Sequence, residues 1–529
     1  MFLTSTEAWR LLFTCAGIVA GFLFAAHRTD FKQKVPLFYC WLGAIAVLGG
    51  AAAFFLPIAV NSGFAKEDDG SALRQALLYT TGGLLGVITL GETHRKNNQE
   101  KEKNENDHIR QVHAERRSRY TTAVEQLANE KAPVRLGGIY TLTGLVDEWL
   151  ADDSLTKEKQ QEEGQVIINN LCSYIRSPFP LAEPVEEHES RKELKELESK
   201  KPGTLLLNES QRLDTLRKRF KDSAEYQEPD NITALQVTFH EEQDVRRAIF
   251  EEMSKRSSTV SVDESKEVTV TPGTWSGFKF DFSRAPMFYS LNKLTIEQGQ
   301  FSSAQFYGDT HFVFAKFIRD AHFEGAKFTG GAGFGSTWFI ESAYFRGAEF
   351  TGDAHFETTE FIRDADFGGA KFTGDVYFMF AKFTGGAGFW SAEFTGGAGF
   401  WSAKFTGKAH FTGAKFTGKA HFTDAKLIGG ANFNGAYFER YAPTFAANSG
   451  AAKFSTQVDP QDYAFSAKQN GEPIKCGTAT LDGKRFKIPL GAVLFDPDSW
   501  DKEKQKYTRI SESAKPLDKS NDGEEDKSK

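Results

Sequence analysis

Five histidines, His311, His322, His355, His410 and His421, each stand immediately before a phenylalanine. Imidazoles at a repeated position could hold a metal such as zinc, which takes nitrogen, sulfur or carboxylate donors in tetrahedral geometry. His311 and His322 are eleven residues apart, as are His410 and His421, so a coil with two faces would stack them. No Asp, Glu or Cys accompanies the set at regular spacing, and outward histidines on a repeated template are the simpler expectation. The four cysteines, Cys15, Cys40, Cys172 and Cys476, are far apart and form no C-x-x-C. That spacing indicates neither a disulfide framework nor a zinc site, and free, mostly buried thiols are expected. No Ser/His/Asp grouping, phosphate loop or dinucleotide fingerprint is present. The expectation is a protein without catalytic residues, cofactor, metal or small-molecule substrate. Trp390 and Trp401 each follow a phenylalanine of the same periodic set and are expected to face outward as a candidate partner surface.

The elements that position these groups follow from one periodicity. Phe makes up 49 of 529 residues, a share that suggests repetition. From Phe301 to Phe438 there are 26 marker positions, separated by alternating steps of five and six; 25 are Phe and one is Leu427. Two residues before each marker stands Ala, except at Gly299, Thr310, Thr337, Thr359 and Val376. The blocks TGGAGFWSAEF, TGGAGFWSAKF and TGKAHFTGAKF follow one another from Thr384 to Phe416. Steps of five and six match no helical face. An Ala and a Phe two residues apart lie on one side of an extended segment, and a T-G corner then turns the chain. Such strand–turn units stack on copies of themselves. Each buried Phe contributes roughly 1.5–3 kcal/mol. Four faces per coil give about 6.5 coils and roughly 31 Å, and two faces about 13 coils and roughly 62 Å, with four preferred.

The pattern Ala-x-Phe-x-x resembles the pentapeptide-repeat family, in a Phe-rich variant with an extra residue in alternate repeats. That resemblance implies a right-handed quadrilateral β-helix. Strict repeats would close a coil in 20 residues where this chain would need 22, which leaves the cross-section open. Some members of the family imitate DNA and inhibit DNA gyrase, which requires an acidic surface. Residues 301–438 hold 13 Asp and Glu against 12 Lys and Arg, so nucleic-acid mimicry and a gyrase regulator are disfavoured. A solenoid acyltransferase is disfavoured as well, since it would need uniform six-residue steps with aliphatic markers. The whole chain carries 64 basic and 71 acidic residues, a net charge of −7, too mild to indicate a nucleic-acid partner.

The first ninety residues read differently. Ala8–Ala26 and Val35–Val60 are each long enough to cross a bilayer. Ala72–Leu90 is weaker because it carries Arg74 and Gln75. Loop charges at Arg28, Lys32 and Lys34, at Lys66 to Asp69, and from Arg95 to Lys103 fit three crossings, with the N-terminus outside and the long remainder cytoplasmic. Residues 1–91 are therefore expected to be a multi-pass cell-membrane anchor of three helices, with the lipid bilayer as partner.

Residues 92–131 read as a charged helix, and 132–260 as a helical domain with a polar linker or exposed helix at about 183–231. AVEQLANEKAPVRLGGIYTL, followed by LCSYIR, resembles the helical segment that often precedes the repeats in membrane-bound bacterial members of the family, and also a HEAT-type hairpin. Gly137 and Gly138 should admit a neighbouring helix. The solenoid is expected over 270–440, a cap over 441–500 and a disordered tail over 501–529. Together these features predict a non-catalytic scaffold for an unidentified protein partner on the cytoplasmic face of a membrane.

Overall fold

A computed structural model describes residues 3–28, 37–61, 69–201, 204–205, 207–221, 226, 230–263 and 268–516. The chain divides into two compact units, residues 1–115 and 116–529. In the first, α1 (Ser5–Arg28) and α2 (Leu37–Ala59) run antiparallel: the Ser5 hydroxyl donates to the Ala59 carbonyl, and Phe22 and Tyr39 line one cleft. Both helices are long and apolar enough to span a bilayer, over Ser5–His27 and Phe38–Ala59. Their outer surfaces carry Phe13, Ile18, Phe24, Trp41 and Phe54, all exposed. The third expected crossing, Ala72–Leu90, is the start of a much longer helix, α3 (Asp69–Leu127), and shows Tyr79, Val87 and Leu90 at about 70% exposure. Loop positions Lys32, Lys34 and Lys66 to Asp68 lie outside the described residues, as do the side chains of Arg28 and Asp69.

The second unit begins with the end of α3 packed on α4 (Ala132–Leu150), which Pro133 opens within its first turn. Gly138 is the glycine that admits α3, since a β-carbon there would lie 2.8 Å from the Ala123 carbonyl; Gly137 faces open space. Helix α5 (Lys157–Arg176) pairs with α4 and meets the solenoid at Gly164, where a β-carbon would lie 2.5 Å from the Phe278 ring.

The stretch expected to be a linker or exposed helix is a second hairpin, α6 (Ala182–Ser199) and α7 (Leu207–Phe220), with a small core of Leu197, Leu213 and Leu216. It rests on the solenoid: Arg212 reaches Asp309 at 2.9 Å, and the Thr215 hydroxyl donates to Asp353 at 2.6 Å. Each partner supplies what the other lacks, so composition alone reads the stretch as solvated. Helix α8 (Ile232–Arg256) then closes the first coil, with the Phe250 ring 4.6 Å from Phe282. Helical domain and solenoid share one continuous core.

The solenoid has four parallel faces. Strands pair with those 22 residues on, as in Phe328 with Phe350 and Phe339 with Phe361. The first face holds residues 321–322, 343–344 and their repeats, the second 327–328 and 349–350, the third 332–333 and 354–355, and the fourth 338–339 and 360–361. Every marker from Phe301 to Phe438 is buried, and so is Leu427. The rings form columns: Phe345, Phe367 and Phe389 stack at 4.8 and 5.1 Å with planes within 3°. Perpendicular contacts to Phe356 and Phe378, at 5.4 and 5.3 Å, tie one column to the next. Stacked and edge-on rings are the arrangements aromatic quadrupoles favour.

The two step lengths make two kinds of corner. Five-step corners are hydrogen-bonded turns, as where the Ala304 amide donates to the Phe301 carbonyl at 3.0 Å. Their third residue is left-handed, whether Gly369 (φ 63°), Ser402 (φ 54°) or Phe314 (φ 58°). Glycine in the T-G corners has another purpose. Gly374 and Gly396 have no left-handed φ, but a β-carbon on either would collide with the glycine backbone one coil below. Gly396→Ala is therefore expected to cost about 1–3 kcal/mol. Gly369→Asn should change stability by less than about 1 kcal/mol, because Asn adopts the left-handed region readily. Urea unfolding of the two variants checks the contrast.

The stack continues beyond the last marker through residues 453–455 and 493–495 on the fourth face and 463–464 on the first. A hairpin of 476–481 with 484–489 sits beside it. The tail expected to be disordered from Asp501 is ordered to residue 516: Tyr507 packs on Trp500 and Phe495, each at 4.8 Å, and Ala514 is buried. A few apolar residues among many charges anchor it. Residues 517–529 lie outside the described residues.

Candidate interaction surface

With every marker inward, the residue before or after it is what the solenoid shows to solvent. On the second face that position reads Lys327, Glu349, Lys371, Glu393, Lys415, one per coil. The charges alternate, and Glu349 meets Lys327 and Lys371 at 3.5 and 3.4 Å. Opposite charges facing each other across a ladder are mildly stabilising and like charges are not. The fourth face departs from this rule. Its column runs Glu360, Lys382, Lys404, Lys426, Lys453. Glu360 pairs with Lys382 at 2.5 Å, Asp424 pairs with Lys453, and Lys426 lies 6.0 Å over the Trp500 ring. Burial pushes the Lys426 ammonium below its usual range.

The two tryptophans singled out by sequence do not come together. Trp390 lies at the corner between the first and second faces, laid over Gly368, with the Arg346 guanidinium 5.0 Å from its ring. Trp401 lies at the corner between the third and fourth faces, where its ring meets Phe380 edge-on at 4.8 Å. Eleven residues are half a coil in a four-faced solenoid, so the pair is carried to separate corners. Phe380 escaped the sequence reading because it is a Phe out of step with the markers. That mismatch was the available signal: at its position other coils carry Ser, Thr or Asp, whereas Phe380 and Phe314 are bulky, exposed and left-handed, at φ 58° each.

The histidines follow the same geometry. His322 and His410 belong to the first face and His311, His355 and His421 to the third, so no pair eleven apart is stacked. His322 instead stacks on Tyr344 and bonds Glu324 at 3.0 Å, while His355 stacks on Tyr377 and bonds Glu357 at 2.9 Å. Among the described residues no group of three or more His, Cys, Asp or Glu side chains is placed to hold a metal. The Cys172 thiol is buried and its pKa is pushed up to about 12, far from a reactive thiolate.

The Glu324 hydrogen bond raises the His322 pKa, and burial works against it. Burial lowers that of His421, helped by Lys419. A raised pKa stabilises the fold below the unfolded value of about 6.5, and the benefit is lost as pH rises through the folded pKa. His322→Gln should therefore cost more stability near pH 5.5 than near pH 8. For His421→Gln the sign reverses, because a depressed pKa makes the native histidine a liability in acid. Unfolding midpoints of both variants across that range check the signs.

A family model described as pentapeptide repeats matches the chain in nine copies, over residues 315–360, 345–393 and 400–443. No curated protein and no solved structure matches the chain.

Proposed function

We propose, from the premise that this solenoid belongs to the pentapeptide-repeat family, that the protein is a membrane-anchored, non-catalytic scaffold whose solenoid binds a protein partner on the cytoplasmic side. The observation that carries the reading is a division of labour within each coil. Inward positions are held to Phe and Ala, while outward positions on the same strands vary freely among Lys, Glu, His, Tyr and Trp. A rigid frame with a variable surface is suited to recognition. The apolar α1 and α2, the two helices among the described residues that are long and apolar enough to span, support an anchor in the bilayer, and the exposed Tyr79, Val87 and Leu90 of α3 favour a third crossing beside them. Arg95, Lys96, Lys101 and Lys103 directly after that segment favour a cytoplasmic placement for the remainder of the chain. Near-balanced solenoid charge, 13 acidic against 12 basic residues, speaks against a DNA mimic that regulates gyrase.

A photo-crosslinking amino acid placed singly at Tyr344, Glu349, Tyr377 and Glu360 samples the four faces in the full chain in its native membrane. Capture of the same discrete protein from one face, and not from the others, is the expected result. Lipid adducts alone, or no adduct from any face, would refute the scaffold reading.

A further inference from the structure

A groove of about 440 Å³ runs between α1 and α2, within the roughly 300–1,000 Å³ that small-molecule sites occupy. Buried Val19, Cys40 and Ala44 form its floor, and exposed Ile18, Phe22, Tyr39 and Val47 form its walls. Gly43 keeps it open: the residue is exposed, and a β-carbon there would meet nothing within 4 Å. Helix α3 contributes no residue to the groove. It meets α2 elsewhere, at Gly49, where a β-carbon would collide with Thr81, and at Ala53, whose carbonyl accepts from Arg74 at 3.2 Å. From Tyr39 to Val47 the groove extends about 12 Å along α2, at about 1.5 Å per residue. That is close to half of a hydrocarbon core about 30 Å thick. Toward Ala59 the two helices close up, with Ala8, Ala53 and Ala59 buried and the Ser5 hydroxyl donating to the Ala59 carbonyl. A membrane-spanning helix from another chain would need a cleft through the whole bilayer. One acyl chain needs a single leaflet.

The mouth of the groove carries a charge. Lys96 of α3 donates to the Tyr39 hydroxyl at 3.4 Å, and its ammonium lies 5.6 Å from the centre of that ring. Tyr39 is neutral, so this contact leaves the charge uncancelled, and among the described residues no carboxylate pairs with Lys96. The adjacent Arg95, by contrast, is paired with Glu92 at 3.2 Å. Tyr39 accepts the bond from Lys96, which leaves its own O–H to donate. An ammonium and a phenol O–H therefore converge where the apolar groove opens, an arrangement that suits a lipid phosphate above its acyl chain. From this juxtaposition we infer that the α1–α2 groove binds one anionic phospholipid, with an acyl chain against Gly43 and the phosphate at Lys96 and Tyr39. A zwitterionic headgroup would bring its own cation toward Lys96, so a net negative headgroup is favoured. This assignment rests on the reading of α1 to α3 as a bilayer anchor and names the lipid class that the anchor selects.

The test uses the full chain reconstituted in phosphatidylcholine vesicles that carry a trace of photoactivatable lipid. The probe is phosphatidylglycerol with a diazirine on its acyl chain, or phosphatidylcholine with the same group, and labelled peptides are mapped by mass spectrometry after illumination. Labelling concentrated on residues 18–22 and 39–47 is expected. It should be about fivefold stronger with phosphatidylglycerol, the preference that one lysine at a membrane surface confers. Gly43→Leu fills the groove with a better helix former and should abolish that concentration of label. Lys96→Gln should leave the labelled positions unchanged and equalise the two lipids. Equal labelling by the two lipids in the native chain overturns the assignment, as does a pattern unchanged by Gly43→Leu. Groove residues spared by both lipids, with the outward Phe13 and Trp41 labelled, overturn it in favour of a second copy of the chain covering the groove. Label spread evenly over the groove, Phe13 and Trp41 removes the site and leaves the anchor. No labelling of α1 or α2 by either lipid removes the anchor as well.

Discussion

Phe367→Ala is expected to lower the stability of the solenoid by about 3–5 kcal/mol, the usual cost of removing a buried aromatic ring and leaving its cavity. The ring sits in mid-column between Phe345 and Phe389, touches Phe356, Phe361 and Phe378 edge-on and lies tilted against Phe372, so six neighbouring rings lose a contact at once. Collapse around the gap is blocked because the same strands are held in register from below and above. Each coil contacts only the next, so the damage should remain local. Hydrogen exchange on the full chain reads this directly: amides of the coils flanking residue 367 should lose protection, while those near residue 433 keep theirs. A uniform loss along the solenoid would contradict nearest-neighbour stacking.

The second large effect belongs to the junction of helices and solenoid. Arg246 on α8 is 1% exposed and donates to Glu242 at 2.7 Å, to the Ile175 carbonyl at 2.8 Å and to the Ser177 carbonyl at 3.0 Å. Arg135 and the Tyr174 hydroxyl meet the same Glu242 at 3.2 and 3.0 Å. Removing one partner from a buried ionic network leaves the rest under-satisfied and typically costs about 3–5 kcal/mol. Arg246→Met keeps volume but loses these hydrogen bonds and a fourth, to the Ser177 hydroxyl at 3.1 Å, and that cost is expected as a drop in the urea midpoint. Neighbouring residues on α8 hold the first coil, with Gln243 donating to Phe288 at 2.6 Å and Arg247 to Ser290 at 2.9 Å. The variant should therefore also unprotect residues 285–301 first. A midpoint unchanged from the native chain would refute the network's role.

Much of the solenoid is legible in the sequence because one side chain marks the inside. Phe at alternating five and six fixes the strand–turn unit and the inward direction, but not the ends, since coils stack from Pro286 before the first marker and on to Phe495 after the last. It does not fix closure: the choice between two and four faces depends on how far each corner turns, and no side chain records that angle. The reason for glycine was legible only in part. T-G looks like a turn signal, yet Gly396 is required by the coil beneath it, and the left-handed corner residue is as often Ser402 or Asp424 as Gly369. The exceptions to Ala were informative in retrospect: the Thr337 and Thr359 hydroxyls bond the Phe312 and Phe334 carbonyls at 2.7 Å, inside the coil. The α6–α7 hairpin and residues 501–516 are hard to read for a common reason: each has few apolar residues among many charges, and the hairpin is fixed on the solenoid by the polar contacts of Arg212 with Asp309 and Thr215 with Asp353. Trp401 was found by exposure logic, but its companion Phe380 could be recognised only once the corner conformation was known.

Every surface assignment depends on residues 22 apart being neighbours. Paired cysteines in a chain whose Cys15, Cys40, Cys172 and Cys476 are replaced by alanine measure that neighbourhood. Glu349→Cys with Lys371→Cys places two thiols on adjacent strands of the second face, within the Cα separation of about 4.4–6.8 Å that a disulfide needs. Lys371→Cys with Lys382→Cys places them on different faces. Rapid oxidation of the first pair and none of the second is the result that a four-faced coil predicts. Oxidation of the pair eleven apart, with the pair 22 apart remaining reduced, would contradict it.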